Sequence, residues 1–457
     1  MDLPPGLGDQ ISSITEVPQT CQPLGINKLP IEIIREIFVL GNSFPIQEII
    51  SNDISTNVAA VSRFWRSVAL SEPRLWSKIC LKLGDKRWLG GFDQFTSYLE
   101  RSRGARIHLW IANYRGAPMD AQCRSMELAA PHLDRCYSLI YDDHEFHMPN
   151  AWIPLTHPFP SLKELDIFLT PRWRIGLNPE AIQLGPNLNL HEFKLSHSHL
   201  HTGFLAPFNV SKSLNLTKLP AFTVFSVLRR SPEIERLRIS LHWTSILPSS
   251  LYSLSLRNLR TLEVDAGPFP YEIAPRLKLL RVAQPQSLKM LTSSSALGYA
   301  DSLAMVKALD LRGWVTYGQG ERYLVHFSSL FALSLRYRRG LEALIEFLAP
   351  DGQAVQDRFN TSDSHESRNV QTPPCPNLNL VIIEFLGEAV VPEGLTKALR
   401  SLLLGRSDIT IIIDWVGATE LSQTLNLLAG QFPRRVLFQV TGCFNLDVEE
   451  LRISFFG

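Results

Sequence analysis

The sequence predicts an α/β protein in which a small helical unit precedes a long array of short parallel strands. Two patterns predict this order. Between residues 26 and 83, apolar residues recur at the spacing of amphipathic helices. From residue 159 onward, apolar triplets recur in which the second and third members follow the first by three and five residues. Alternation by two is the spacing of a strand with one buried face, so each triplet predicts one strand and the turn before it.

A first helix is predicted from the apolar residues that begin at Leu29. Its apolar positions recur at helical spacing and share one face: Leu29, Ile33, Ile34, Ile37 and Leu40. Pro30 suits the first turn, because the N–H that proline lacks has no partner there in any helix. Glu32 suits the same turn, since a carboxylate is stabilised by the positive end of the helix dipole.

A single second helix is predicted over the next apolar stretch, and Pro73 ends it. Its apolar stripe consists of Val58, Val61, Trp65 and Val68. A further apolar turn follows, with Leu75, Trp76 and Ile79. So small a unit cannot bury all of these side chains within itself, so we expect some of them to face a partner or the following domain.

These residues together resemble an F-box, of the kind common in mushroom-forming fungi. The resemblance rests on three stretches in order: Leu-Pro-x-Glu-Ile-x-x-Glu-Ile-Phe from Leu29, Val-Ser-Arg-x-Trp-Arg from Val61, and Pro-x-Leu-Trp-Ser-x-Ile from Pro73. It covers under a fifth of the chain. Two positions depart from the family: Ser62 stands where cysteine is common, and Ser51–Asn57 is polar where many F-boxes carry leucines.

The resemblance implies a docking role. An F-box binds the Skp-type adaptor of a cullin–RING ubiquitin ligase, so the chain would be a substrate-recognition subunit whose repeat array holds an unidentified target protein. The implied adaptor-binding residues are Leu29, Pro30, Ile33, Ile34, Ile37, Phe38, Val61 and Trp65. Ubiquitin transfer would then belong to other subunits, and we expect no catalytic residue, metal or cofactor in this chain.

The repeat array is defined by eight apolar triplets. They are Leu162/Leu165/Ile167, Leu190/Phe193/Leu195, Ile234/Leu237/Ile239, Leu259/Leu262/Val264, Leu277/Leu280/Val282, Val306/Leu309/Leu311, Leu330/Leu333/Leu335 and Leu378/Val381/Ile383. Their first members lie 28, 44, 25, 18, 29, 24 and 48 residues apart, mostly near the period of leucine-rich repeats. The two wide gaps predict hidden or enlarged repeats. Because no regular asparagine follows the strands, the array resembles leucine-rich repeats only loosely, and we expect an irregular solenoid.

The chain therefore divides into a disordered tail (1–25), an F-box-like unit (26–83) and a repeat domain (84–457) with a mobile polar loop at 352–376. Further helices are predicted at Phe92–Arg101, Met119–Pro131, Pro220–Arg230, Leu341–Leu348, Glu393–Leu404 and Glu420–Leu428. Further strands are predicted at Ile107–Ile111, Cys136–Tyr141, Ile409–Trp415 and Val436–Val440.

Composition favours a globular chain in a reducing compartment. The net charge of +1 gives no electrostatic case for nucleic acid or an anionic membrane. No signal peptide is recognisable, and no apolar run approaches the roughly 20 residues of a membrane span. The six cysteines are scattered without a close pair, which is typical of free thiols. We therefore expect a cytoplasmic or nuclear protein, or one present in both compartments.

No catalytic motif matches the sequence, and the candidate metal ligands are poorly spaced. His144 and His147 are too close to share a metal across one helical turn. His197, His199 and His201 alternate as on one strand face, but no carboxylate or cysteine lies in that run. A third group, Cys123, His132, Cys136 and His144, has irregular spacing. We therefore predict no metal site.

Two alternative functions remain open from the sequence. The first is a repeat scaffold that binds partners outside any ligase, an interpretation favoured by the polar Ser51–Asn57 segment. The second is a metal-dependent hydrolase that uses its histidine-rich segments. Adaptor binding distinguishes the first alternative from the ligase subunit, and elemental analysis for stoichiometric metal tests the second.

Overall fold

The structure is a computed structural model that describes most of the helical unit and of the repeat array. The described residues are 26, 29–43, 53–84, 91–114, 119–143, 159–169, 189–196, 209–219, 221–241, 254–266, 274, 276–282, 303–311, 324, 326–336, 341–349, 375–386, 393–416 and 423–439. The predicted tail at 1–25 and residues 352–374 of the predicted mobile loop lie outside this part of the chain.

Within the described residues, fourteen strands form one all-parallel sheet in which each strand pairs with the next in chain order. They are β1 (Lys78–Leu83), β2 (Ile107–Asn113), β3 (Cys136–Asp143), β4 (Glu164–Leu169), β5 (Asn189–Ser196), β6 (Asn209–Leu219), β7 (Arg236–Leu241), β8 (Thr261–Ala266), β9 (Leu279–Val282), β10 (Ala308–Leu311), β11 (Ala332–Arg336), β12 (Leu380–Leu386), β13 (Thr410–Val416) and β14 (Val436–Gln439). The predicted α/β solenoid-like array of parallel strands is confirmed.

Nine α-helices accompany the strands in the described chain. They are α1 (Ile31–Gly41), α2 (Ile54–Val61), α3 (Arg63–Ser71), α4 (Gly91–Arg101), α5 (Met119–Ala129), α6 (Ala221–Arg230), α7 (Leu341–Leu348), α8 (Glu393–Gly405) and α9 (Gln423–Gln431). Short 3₁₀ turns occupy Pro73–Trp76 and Ala130–Arg135. The first three helices precede the sheet, and buried side chains of the other six pack on one of its faces, in the main core.

The apolar triplets form the main core. Every one of their side chains is at most 2% exposed. The second and third members lie in β4, β5 and β7–β12 and point to the same face of the sheet, while the first member lies before each strand, except Leu190, which is the second residue of β5. No single repeat covers its own apolar residues, so burial depends on stacking against the repeats on either side.

The two wide gaps in the triplet series have different origins. The first gap holds β6, whose Leu214 and Leu216 point into the core between β5 and β7. This strand lacks a complete triplet because Ser211 stands three residues before Leu214. The second gap adds no strand, since β11 pairs directly with β12, and it contains α7. One gap is therefore a hidden repeat and the other an enlarged one.

The single second helix predicted for the helical unit is wrong, because the chain forms two helices there. Ser62 has an extended backbone (φ −156°, ψ 167°) between α2 and α3, and its Oγ accepts a hydrogen bond from the Trp65 N–H at 3.1 Å. Serine at this position caps the new helix and ends the previous one. As a result Val61 is exposed whereas Val68 is buried, so the predicted stripe does not share one face.

The polar Ser51–Asn57 segment contributes the beginning of α2. The Asp53 Oδ1 accepts a hydrogen bond from the Thr56 N–H at 3.3 Å and so caps the first turn. The end of the unit also differs from expectation. Ile79, predicted in an apolar turn, lies in β1, so residues 78–83 belong to the sheet rather than to the helices. Helical unit and sheet share one continuous core.

Buried arginines join neighbouring repeats through backbone carbonyls. The Arg406 guanidinium follows α8 and is only 6% exposed. It donates to the carbonyl oxygens of Cys375 (3.0 Å), Pro376 (3.0 Å) and Leu378 (2.8 Å), which form the turn before β12. A single side chain therefore donates to three carbonyls outside the strand ladder, one of which, that of Cys375, also accepts from the Leu378 N–H at 3.1 Å.

Arg135 and Arg435 repeat this device at the ends of helices. Each directly precedes a strand and reaches back to the helix of the preceding repeat. Arg135 donates to the Leu99 carbonyl near the end of α4 at 2.9 Å, and Arg435 donates to the Leu403 carbonyl near the end of α8 at 2.9 Å. A cation at this position also compensates the negative end of the helix dipole.

We expect the Arg406→Leu substitution to lower the free energy of unfolding by about 3 kcal/mol, because carbonyls with little access to water lose their donor. Urea denaturation followed by circular dichroism measures the change. Arg400→Leu, on the exposed side of α8, is the matched control and is expected to change the free energy of unfolding by less than about 0.5 kcal/mol. Equal values for the two variants would contradict the assigned role of Arg406.

Candidate docking surface

Helix α1 is apolar on two sides. Ile34 and Phe38 point into the core and are buried. Ile33, Ile37 and Leu40 lie on another side of the helix and are 47%, 40% and 67% exposed. Their spacing of four and three residues places them above one another along the helix. We call these three residues, together with the exposed Leu29 before the helix, the α1 stripe.

Exposed apolar side chains are concentrated in the part of the chain that forms the helical unit. Thirteen large apolar residues are exposed in the described chain, and nine of them lie between residues 26 and 70. These nine are Ile26, Leu29, Ile31, Ile33, Ile37, Leu40, Val61, Phe64 and Leu70. Removing apolar surface from water lowers the free energy. Contiguous patches of such side chains on a folded protein therefore mark interaction sites.

The residues predicted to bind an adaptor differ in their exposure in the structure. Leu29, Pro30, Ile33, Ile37 and Val61 are exposed and available to a partner. Ile34 and Phe38 are 0% and 2% exposed, so they pack within the unit and are not available at its surface. Trp65 is half-buried, with its ring centroid 5.0 Å from that of Phe38.

Five of the nine exposed apolar residues were not among the predicted adaptor-binding ones: Ile26, Ile31, Leu40, Phe64 and Leu70. Leu40 continues the α1 stripe three residues after Ile37, so the helical spacing that identified Ile33 and Ile37 also identifies it. Phe64 is exposed in the first turn of α3. Its position depends on the break at Ser62, which the hydrophobic spacing did not reveal.

Buried hydrogen bonds hold α1 against the rest of the helical unit. The Asn42 amide and the Ser55 hydroxyl both donate to the Leu75 carbonyl, at 3.0 and 3.1 Å. These contacts join the end of α1, the start of α2 and the 3₁₀ turn at a single acceptor. A buried amide or hydroxyl without a hydrogen-bond partner would destabilise the folded protein. These two hydrogen bonds therefore fix how α1 presents its stripe.

Charged groups around Arg74 support the same arrangement at the surface. Arg74 contacts Glu36 of α1 at 2.6 Å and Glu72 before the 3₁₀ turn at 2.8 Å. The hydrogen bond from Arg74 lowers the pKa of the Glu72 carboxyl, and the bonds to Glu72 and Glu36 raise the pKa of Arg74. Solvent screening keeps the contribution of the half-exposed Arg74–Glu36 pair small, so it orients α1 more than it stabilises the fold.

Trp76 and Tyr98 attach the helical unit to the first repeat. The buried Trp76 donates from Nε1 to the Ala69 carbonyl at 2.8 Å, and its ring meets that of Tyr98 edge to face at 5.1 Å. The Tyr98 hydroxyl, on α4, donates to the Asp53 carboxylate that caps α2. Burial, with a contribution from Asp53, raises the pKa of Tyr98 above its usual value, so the hydroxyl remains a donor.

The described residues contain no group of three or more histidine, cysteine, aspartate or glutamate side chains arranged to hold a metal ion. The predicted candidates His144, His147 and His197–His201 lie outside the described residues. Of the third group, His132 contacts Arg135 at 3.2 Å, and the Cys136 thiol donates to the Ser138 carbonyl at 3.4 Å.

Comparison with models of known protein families gave no match, and comparison with curated proteins gave no match either. Within the described chain, no helix combines the length and the apolar character needed to cross a membrane.

We expect the three buried cysteines to resist alkylation in the folded protein. Burial raises the pKa of Cys80, Cys136 and Cys375 to about 12, so only about one thiol in ten thousand is ionised at pH 8. A variant with serine at Cys21, Cys123 and Cys443 isolates these three thiols. Ellman's reagent should titrate none of them at pH 8 and all three in guanidinium chloride. Rapid reaction without denaturant would contradict their burial.

Proposed function

We propose that this chain is a substrate-recognition subunit of a cullin–RING ubiquitin ligase and that its helical unit docks on a Skp-type adaptor. The observation that carries this proposal is the concentration of exposed apolar side chains on the helical unit, among them the α1 stripe. An adaptor that covers the stripe would remove this area from water, at roughly 25 cal/mol for each Å² buried. The F-box-like order of residues supports a Skp-type adaptor as that partner.

The attachment of the helical unit to the array also supports this function. A recruiting subunit must hold its target at a defined position relative to the adaptor. Trp76, Tyr98 and Asp53 connect the helices to α4, and the two parts share a core, which limits relative motion. The fourteen strands, about 4.8 Å apart, extend over roughly 60 Å and offer a long surface for a target protein.

We expect the Ile33→Glu/Ile37→Glu variant to lose at least a hundredfold in affinity for a purified Skp-type adaptor. Two carboxylates would replace apolar groups at the centre of the interface and would have to be desolvated without a partner. Isothermal titration calorimetry measures the affinity. Both residues are exposed, so the thermal unfolding midpoint should remain within a few degrees of the wild-type value.

Leu404→Glu/Leu427→Glu is the matched control, because these leucines, on α8 and α9 at the other end of the array, are also exposed and even more so than Ile33 and Ile37. It should bind the adaptor as tightly as the wild type. Equal adaptor affinity of the wild type and both variants would contradict the assignment of the adaptor site to α1. Failure of the wild type to bind any Skp-type adaptor would overturn the ligase function and favour a scaffold outside the ligase.

A further inference from the structure

The face of the sheet that points away from the main core is divided into three sections. In β1 and β2 it carries a buried cluster of Cys80, Trp110 and Ala112. From β9 to β13 it carries a second buried apolar cluster, formed by Leu279, Ala308, Ala332, Leu380, Ile382 and Ile412. Between these clusters, strands β4–β8 present mainly polar and charged side chains that are half-buried or exposed, together with the exposed Phe168 of β4. We call this middle section the polar section.

The strand register places the charges of the polar section in order. One row crosses β4–β8 as Asp166, Lys194, Asn215, Arg238 and Glu263. The adjacent row crosses the same strands as Glu164, Glu192, Ser213, Arg236 and Thr261. Carboxylates therefore predominate on β4 and β5, neutral polar groups occupy β6, and two arginines stand side by side on β7.

The carboxylate end carries more negative than positive charge. Lys194 is the cation of these two rows on β4 and β5, and its Nζ lies 3.9 Å from the Asp166 carboxylate, a distance at the limit of an ion pair. Burial raises the pKa of Asp166, and the charge of Asp142 on β3 adds to this effect while Lys194 opposes it. A cation supplied by a partner would relieve this repulsion.

The arginine end offers positive charge. Arg238 is 45% exposed and pairs with Asp265 at 3.0 Å and with Glu263 at 3.7 Å. The neighbouring Arg236 is exposed, and its guanidinium makes no hydrogen bond or ion pair with the described residues. A carboxylate that approaches β7 can therefore bind Arg236 without displacing a partner from the part of the chain that the structure describes.

We propose that the polar section binds an extended segment of the target protein that carries a basic residue over β4–β5 and an acidic residue over β7, which rests on the docking role proposed above. Arg236 and Arg238 bind the acidic side chain, while Asp166 and Glu192 bind the basic one. A carboxylate fits better than a phosphate, because Glu263 and Asp265 lie beside Arg238 and repel a doubly charged group more strongly than a singly charged one.

The strand spacing defines how far apart the two target residues lie. The carboxylate end lies two (β5) or three (β4) strand spacings from β7, which corresponds to about 10–14 Å. An extended chain rises about 3.3 Å per residue, so it covers this span in about three or four residues. The expected motif therefore contains a basic and an acidic residue three or four positions apart.

Selection of peptides from a displayed random library by the purified full-length protein tests this assignment. We expect enriched peptides to carry a basic and an acidic residue three or four positions apart. Synthetic peptides from this pool should bind the Arg236→Glu/Arg238→Glu variant at least tenfold more weakly than the wild type by fluorescence anisotropy. Their affinity should also fall as salt increases from 50 to 500 mM, since the contacts are between charges.

Arg276→Glu/Lys278→Glu is the matched control, because these exposed cations have the same spacing and lie just before and at the N-terminal end of β9. It should bind the selected peptides like the wild type. Enrichment of uncharged peptides, absence of enrichment, or equal weakening by both variants would overturn the assignment. Adaptor affinity of the same variants is measured in parallel, so a failure of peptide recognition is distinguished from a failure of adaptor docking.

Discussion

The shared burial of inward-pointing side chains between neighbouring repeats is the constraint on which the structure depends. Each repeat supplies one strand, and its two or three inward apolar residues are covered only when the adjacent repeats are in place. Such an array has a problem at its ends, where a neighbour is missing. At the N-terminal end Trp76 packs against Tyr98 of α4, and buried side chains of α1 and α3 join the core that contains β1, so the helical unit both extends the core of the first repeat and presents the α1 stripe.

Periodicity explains which parts of this arrangement the sequence predicts. Residues that point into the core must be apolar in every repeat, so eight triplets identify eight strands, and all their side chains are buried. The strand β6 was hidden because Ser211 replaces the first triplet member. The contacts of Arg406, Arg435 and Arg135 could not be predicted, because their partners are backbone carbonyls, which leave no mark in the sequence.

The docking surface shows a different limit. Hydrophobic spacing identifies an apolar residue but does not say what covers it, and α1 has apolar residues on both its inner and outer sides. Ile34 and Phe38 therefore resembled Ile33 and Ile37 in the sequence, although the former are buried and the latter exposed. The difference is determined by how α2, α3 and the 3₁₀ turn pack on α1, and this packing depends on the Ser62 cap and on the Leu75 carbonyl.

On β4–β8 the outer face of the sheet does not have to fill a close-packed core, whereas the inner face does. Inward positions must fill a close-packed core, so their substitution costs stability whatever the target protein is. Outward positions on β4–β8 alternate with them along each strand and contact no helix of the described chain in the main core, so their charges can change without loss of the repeat. In the proposed recognition, alternate residues of the same strands have different roles: charges such as Arg236 carry specificity, whereas the buried Leu237 beside it maintains the fold.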